Sequence, residues 1–306
     1  MRILFPQHEI NPGQVDEMYQ LEYNAATTCG YIVNLYNHDE FVSSQKLISN
    51  LPLNTTMEPI ILRGYMLKSR QYEYFYETLL LKKYRLVNDS HQYHRCHHSY
   101  ESHFIFGNQS PKIMYFPNLS KEIFDRIVTI EFLNEKLVEM KRYFDSDFFI
   151  LKDSVKSEKH IPELFKISID ITAEELLSRL KLFIEKRGKS YNDGLVFKEF
   201  VDLKKYSSNK INEWRIFVFR GKIISCSQNS ELHLEDVKIP SLEWIETFTN
   251  KIQSDFFTID VAEKSDGSWT IIETGDGQVS GLSPGQNELE FYNQISKYIP
   301  SHFFTI

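Results

Sequence analysis

The stretch that most constrains this chain lies in the last fifth of its 306 residues. An apolar strand, Phe256-Phe257-Thr258-Ile259-Asp260-Val261, leads to a turn at Ser265-Asp266-Gly267. A second strand, Ser268-Trp269-Thr270-Ile271-Ile272, then delivers Glu273 just before Thr274-Gly275-Asp276-Gly277. Two β-branched and aromatic runs joined through a Gly turn read as a hairpin. On such a hairpin Asp260 and Glu273 fall near one end, close enough to share a cation. Carboxylates on rigid neighbouring strands suit Mg²⁺, a hard cation that takes oxygen ligands and is often completed by substrate phosphates. Taken alone, the same residues also fit an ordinary hairpin with acidic residues near its turn.

Three upstream segments add basic residues to strands. Glu213-Trp214-Arg215-Ile216-Phe217-Val218-Phe219 and the residues after Arg220-Gly221 read as strand, turn and strand. Glu213 and Arg215, two apart, point to one face, and a strand-borne Arg can hold a phosphate through its planar fork. Gly194-Leu195-Val196-Phe197-Lys198-Glu199-Phe200-Val201 is an apolar strand interrupted by a Lys-Glu pair. Phe148-Phe149-Ile150-Leu151 is a short strand ending in Lys152. It is followed by a charged loop, Asp153-Ser154-Val155-Lys156-Ser157-Glu158-Lys159-His160, that could reach nucleotide phosphates.

The order of these four segments resembles the ATP-grasp superfamily, and more closely its R2K clade, in the bacterial and phage branch related to the cell-division-cycle 123 proteins. Further segments carry the likeness: Ile3-Leu4-Phe5-Pro6 with Asn11-Pro12, Leu62-Arg63-Gly64-Tyr65-Met66, Arg95-Cys96-His97-His98, Ser110-Pro111-Lys112, and the run from Glu273 to Leu282. The resemblance implies an α/β and α+β chain with the ATP-grasp fold. A parallel α/β pre-ATP-grasp domain would come first, then a nucleotide cleft between two β-rich lobes. It implies that Lys112 and Lys152 approach the nucleotide phosphates, with Lys156 in the phosphate loop. It implies that Lys198, Glu199, Phe200 and Val201 form the strand that meets adenine, and that Arg215 serves the phosphate or acyl phosphate. Asp260 and Glu273 match the magnesium carboxylates. Two departures stand out. The loop after Lys152 lacks glycines, so its grip would depend on Lys156 and Ser157. The Glu-x-Asn ending common in the superfamily reads Glu273-Thr274-Gly275, leaving Asp276 as the candidate third ligand.

The activity so implied is an ATP- and Mg²⁺-dependent carboxylate-amine or carboxylate-nucleophile ligation through an acyl phosphate. Arg215 and Lys152 would act in catalysis. Arg63, Arg95 and His97 would face a carboxylate-bearing small molecule or a peptide, and a protein substrate is also open. The other reading is an ATP-binding assembly factor or chaperone of the cell-division-cycle 123 type, which ligates nothing.

Composition sets wider bounds. A 42% hydrophobic share supports a real core, and a net charge of −7 argues against a nucleic-acid platform. No apolar run approaches the roughly 20 residues of a membrane span. Cys29, Cys96 and Cys226 are too widely spaced for a disulfide framework, so a cytoplasmic setting is expected. Three segments are expected: an α/β unit over 1–110, a smaller lobe over 111–200, and a larger lobe with the metal site over 201–306. In the first, strands at 3–5, 30–36 and 59–63 alternate with helices over 15–26 and 69–83, which predicts a parallel sheet. Its ligand site should lie beyond the carboxyl ends of the strands, where Arg63 and Gly64 fall. Helices are expected over 134–144 and 173–187. His91, His94, Cys96, His97, His98 and His103 match no standard zinc spacing and read as a polar loop. Tyr72, Tyr74, Phe75 and Tyr76 read as a packed amphipathic helix.

Overall fold

A computed structural model describes residues 1–192, 194–206, 210–229 and 235–299; of residues 99 and 102 it describes the backbone alone. The end of the expected 201–306 lobe, residues 300–306, lies outside the described residues, as do 207–209 and 230–234. In chain order the strands are β1 (Arg2–Pro6), β2 (Ile32–Tyr36), β3 (Glu58–Leu62), β4 (Tyr84–Leu86), β5 (Ile113–Pro117), β6 (Phe148–Lys152), β7 (Ile167–Ser168), β8 (Gly194–Glu199), β9 (Glu213–Phe219), β10 (Lys222–Gln228), β11 (Phe256–Glu263) and β12 (Trp269–Asp276). The chain divides into two compact units. The first holds Met1–His97, Asn212–Val261 and the described residues from Thr274 on; the second holds His98–Ile211 and Ala262–Glu273. The chain passes between the units at 97/98, 211/212, 261/262 and 273/274. The distal part of the β11–β12 hairpin belongs with the second unit. The Lys204 amide donates to the Glu263 carbonyl and the Ser265 amide to the Asp202 carbonyl, which ties the hairpin tip to residues distant in the chain.

In the first unit the expected parallel sheet forms, in the order β2-β1-β3-β4. Its strands are near-continuous apolar runs because both faces are covered. One face packs Ile3, Phe5, Leu35 and Ile61 with Phe217, Phe219, Phe256, Phe291 and Tyr292. The other packs Leu4, Ile60 and Leu62 with Tyr72, Phe75 and Leu79. The helix Ser69–Leu81 that carries the latter three matches the expected amphipathic helix. Fully burying each such side chain contributes about 1.5–3 kcal/mol. Gly64 follows β3 because a Cβ there would meet the Tyr36 hydroxyl at 2.7 Å. A second sheet has the order β10-β9-β11-β12.

The second unit is built on a sheet of order β5-β8-β6-β7, antiparallel throughout. Alternation along each strand gives its faces opposite characters. Met114, Phe116, Phe149, Leu151, Leu195 and Phe197 join the core made by helices Ile130–Tyr143 and Ala173–Arg187. The register sets Ile150 and Ile113 opposite Lys198, and Lys152 and Tyr115 opposite Val196. These residues share the other face. The stretch expected to be a polar loop is helical, with helices at Ser90–His97 and Ser99–Phe106. Tyr93 and Cys96 are fully buried there, and that burial drives the helix despite its polar composition.

Candidate functional site

In the second unit, Lys152 and Lys198 converge on the β12 end of the hairpin. They share a sheet face, and both are almost fully buried. Lys152 Nζ donates to Glu273 Oε2 at 2.9 Å, and Lys198 Nζ donates to the Ile272 carbonyl. Burial alone would raise the Glu273 carboxyl's pKa. Lys152, Lys159, Lys198 and Lys156 outweigh that and hold it well below the usual carboxylate range. Four cations thus act on this one carboxylate. Three of these lysines and Glu273 border a cavity of about 300 Å³ lined by Lys152, Val155, Lys156, Ser157, Lys159, His160 and Glu273.

The loop that shapes this cavity is rigid by a route the sequence reading missed. The Asp153 carboxylate, fully buried, accepts the Val155 and Lys156 amides on Oδ1 at 2.8 and 2.7 Å. Its Oδ2 accepts Arg187 Nε and the Asn192 amide, both at 3.0 Å. Arg187 Nη1 also reaches Glu158 Oε1 at 3.3 Å. An Asx turn closed by a buried ion pair thus replaces the absent glycines. The available signal was an Arg ending a helix and two acids in a charged loop, but 34 residues separate Arg187 from Asp153. Gly194 has φ +142°, and a Cβ there would stand 2.2 Å from Ser154 Oγ, so β8 starts on the only residue that fits beneath this loop.

Lys112 and Glu199 lie elsewhere in this unit. The Glu199 amide donates to the Lys112 carbonyl, three register rows from Lys152 and on the other face of the sheet. Lys112 Nζ is held by Asp145 Oδ2 and the Tyr143 carbonyl, each at 2.8 Å. The Glu199 carboxylate accepts the Lys112 and Asp145 amides, which fastens both segments to the strand end. Phe200 extends the sheet through its amide to the Phe148 carbonyl at 3.0 Å, and Lys166 Nζ sits 4.4 Å from its ring centroid. Val201, half-buried, follows. Lys156 alone of the other expected nucleotide residues lines the cavity with Lys152.

In the first unit, Arg215 and Asp260 form a two-pronged pair. Nε reaches Oδ1 at 2.9 Å and Nη2 reaches Oδ2 at 2.7 Å, while Nη1 donates to the Gly281 carbonyl at 3.0 Å. Asp260 is buried among apolar strand residues and Arg215 stays partly exposed, so the guanidinium is fixed in direction. Glu213 accepts Asn229 Nδ2 at 2.7 Å and so secures the start of β9.

Three expected site residues have other duties. Asp276 is fully buried: Oδ1 accepts the Gln278 amide at 2.9 Å and Oδ2 accepts Asn88 Nδ2. Burial raises its pKa to about 6. It builds the turn after β12 and lies on the opposite side of that strand from Glu273. Arg63, expected to face substrate, is fully buried. Its fork grips Glu22 at 2.8 and 3.0 Å, and Nη1 donates to the Gly277 and Ser280 carbonyls. Every side of the guanidinium is used inside the protein. His97 is buried against Tyr93 with ring centroids 4.8 Å apart. Arg95 lies on the same helix and lines a separate cavity.

Solved structures support the architecture. The fold resembles D-alanyl-alanine synthetase A from Vibrio cholerae (TM-score 0.59, 10% identity, 97% of each chain covered). It also resembles D-cycloserine synthetase DcsG (TM-score 0.60, 10% identity, 97% of this chain and 99% of that one). A third is the macrocyclase MdnC bound with precursor peptide MdnA from Microcystis aeruginosa (TM-score 0.57, 12% identity, 97% and 100%). Among curated proteins no sequence matches the chain. The model of the ATP-grasp domain, R2K clade family 3, matches residues 110–295. The lysine-lined loop, the strand-borne Arg and the acidic hairpin all fall within that match, and the chain belongs to the R2K clade of the ATP-grasp proteins.

Proposed function

We propose that this protein is an ATP-dependent ligase that activates a substrate carboxylate as an acyl phosphate and passes the acyl group to an amine or related nucleophile. The observation that carries the reading is the cluster of Lys152, Lys198, Lys156 and Lys159 around the single carboxylate of Glu273, beside a cavity of about 300 Å³. Such a set of cations, Lys152 and Lys198 buried and Lys156 and Lys159 exposed, suits a polyphosphate. The structural neighbours named as synthetases and a macrocyclase agree with it at the level of fold.

Lys152 and Lys198 would hold phosphate oxygens from fixed strand positions, so little reorganisation is needed as charge moves. Lys156 and Ser157 would close over the nucleotide from the Asp153–Arg187 turn. Backbone groups at Glu199 to Val201 would border the base, and Lys112 would stay at the strand end, tied to Asp145. Arg215 would face the γ-phosphoryl group. The substrate carboxylate oxygen attacks that phosphorus and ADP leaves. The nucleophile then attacks the acyl carbon, loses its proton, and phosphate departs. No nucleophilic Ser or Cys is required.

Asp260 in the first unit and Glu273 in the second are hard oxygen donors of the kind Mg²⁺ takes, and each already holds a cationic group, Arg215 in one case and Lys152 in the other. When bound, the ion would neutralise phosphate charge.

The test is a thermal-shift and calorimetric titration with a non-hydrolysable ATP analogue, with and without Mg²⁺. A ligand that binds only the folded state raises the melting temperature. We expect Mg²⁺-dependent binding that Lys152→Ala abolishes, followed by ADP release when carboxylate and amine pools are supplied. Binding of equal strength in Lys152→Ala would remove the site assignment, and analogue binding without ADP release from any pool would remove the ligase.

A further inference from the structure

A cavity in the first unit lies far from Arg215 and Asp260. Its volume is about 550 Å³, and its lining includes Asp89, Arg95, Arg220, Asn250 and Asp255. Arg220, just past the end of β9, follows Arg215 by five residues, and Asp255, just before β11, precedes Asp260 by five. At about 3.3 Å per residue the cavity is roughly 16 Å from the Arg215–Asp260 pair, at the opposite end of the same strands.

Its charged groups are arranged for a ligand with two ends. Arg95 Nη1 donates to Gln253 Oε1, and Arg220 Nη1 donates to the Tyr298 carbonyl at 3.1 Å. Both acceptors are neutral, so neither bond neutralises a guanidinium charge. The acids are likewise half used. Asp89 Oδ1 accepts the Gln92 amide at 2.8 Å, and Asp255 Oδ2 accepts Gln92 Nε2 at 3.3 Å. Gln92 thus spaces the two carboxylates. The Arg220 amide, donating to the Asp255 carbonyl, sets the arginine beside them. A guanidinium fork recognises a carboxylate in a fixed plane. Two carboxylates in the same cavity repel a doubly charged phosphate and attract an ammonium. The volume lies within the range of small-molecule sites.

We propose that this cavity binds a small zwitterion of the amino-acid or short-peptide class, with Arg95 and Arg220 taking its carboxylate and Asp89 and Asp255 its ammonium. The site is separate from the proposed nucleotide site. It gives Arg95 a ligand role that lies apart from Arg63 and His97.

The experiment is a titration of the full chain with glycylglycine, glycylglycine amide, N-acetylglycylglycine and inorganic phosphate, followed by the Arg Nε–Hε resonances of Arg95 and Arg220. Glycylglycine should shift both resonances saturably. Blocking either end, or Arg95→Gln or Arg220→Gln, should weaken binding at least tenfold. Lys152→Ala should leave it unchanged, which separates failure here from failure of the nucleotide reading. The end-blocked ligands test the idea on the unaltered protein even if a variant folds poorly. No saturable shift by glycylglycine, equal binding of the blocked forms, or tighter binding of phosphate would each overturn the proposal.

Discussion

Lys152 Nζ and Glu273 Oε2 stand 2.9 Å apart within one compact unit, although 121 residues separate them in the chain. The lysine ends a strand whose other face is core, and the carboxylate lies within β12. Neither charge is fully solvated, so each depends on the other for stabilisation. Removing one partner of such a pair is costly because it strands the other.

The pH dependence of Glu273 follows from that pairing. Its folded-state pKa is depressed, so the stability it contributes is complete above the unfolded value of about 4.5. That stability falls away as pH drops below it. Urea melts at pH 7, 5 and 3.5 should show a loss between 5 and 3.5 that Glu273→Gln reduces. An unchanged pH slope in the variant would contradict the lysine cluster.

Asp276 should behave in the opposite sense. Its pKa is raised by burial to about 6, so the folded state binds the proton more tightly than the unfolded one. Stability therefore rises as pH falls from about 6 toward 4. Asp276→Asn loses this gain and sets an amide donor against Asn88 Nδ2. The variant should be destabilised by about 1–3 kcal/mol, with a larger deficit at pH 5 than at pH 7 in paired melts.

Arg63→Met should cost about 3–5 kcal/mol, since it leaves Glu22 buried without its cation. The double variant Arg63→Met, Glu22→Gln should recover part of that loss in urea titration. Additive losses would mean that the two residues act independently.

Gly194→Ala should lose about 1–3 kcal/mol from backbone conformation, and more from the clash with Ser154 Oγ. Ser154→Gly in the same chain should restore the part due to the clash. Thermal melts of the two single variants and the double variant separate these contributions.

Regular elements were legible from residue pattern. The helix over 173–187 forms with its expected bounds, and β9, β10, β11 and β12 form where apolar alternation and Gly turns put them. The helices at 90–97 and 99–106 were not legible, because Tyr93 and Cys96 become good core residues only once a neighbour covers them. Arg63 misled for a related reason. An Arg at the carboxyl end of a parallel strand has the position of a ligand residue, and only its distant partner Glu22 turns it inward.

Sequence alone determined the family, the parallel N-terminal sheet and the residues that carry charge on strands, because these depend on local pattern and on short motifs. Tertiary structure decided which charges are shared. It paired Lys152 with Glu273, Arg215 with Asp260 and Arg187 with Asp153, used Arg63 and Asp276 for architecture, and placed Arg95 and Arg220 on one cavity. The physical reason is that a charge removed from water must find a partner, and folding, not chain order, sets which partner lies within reach.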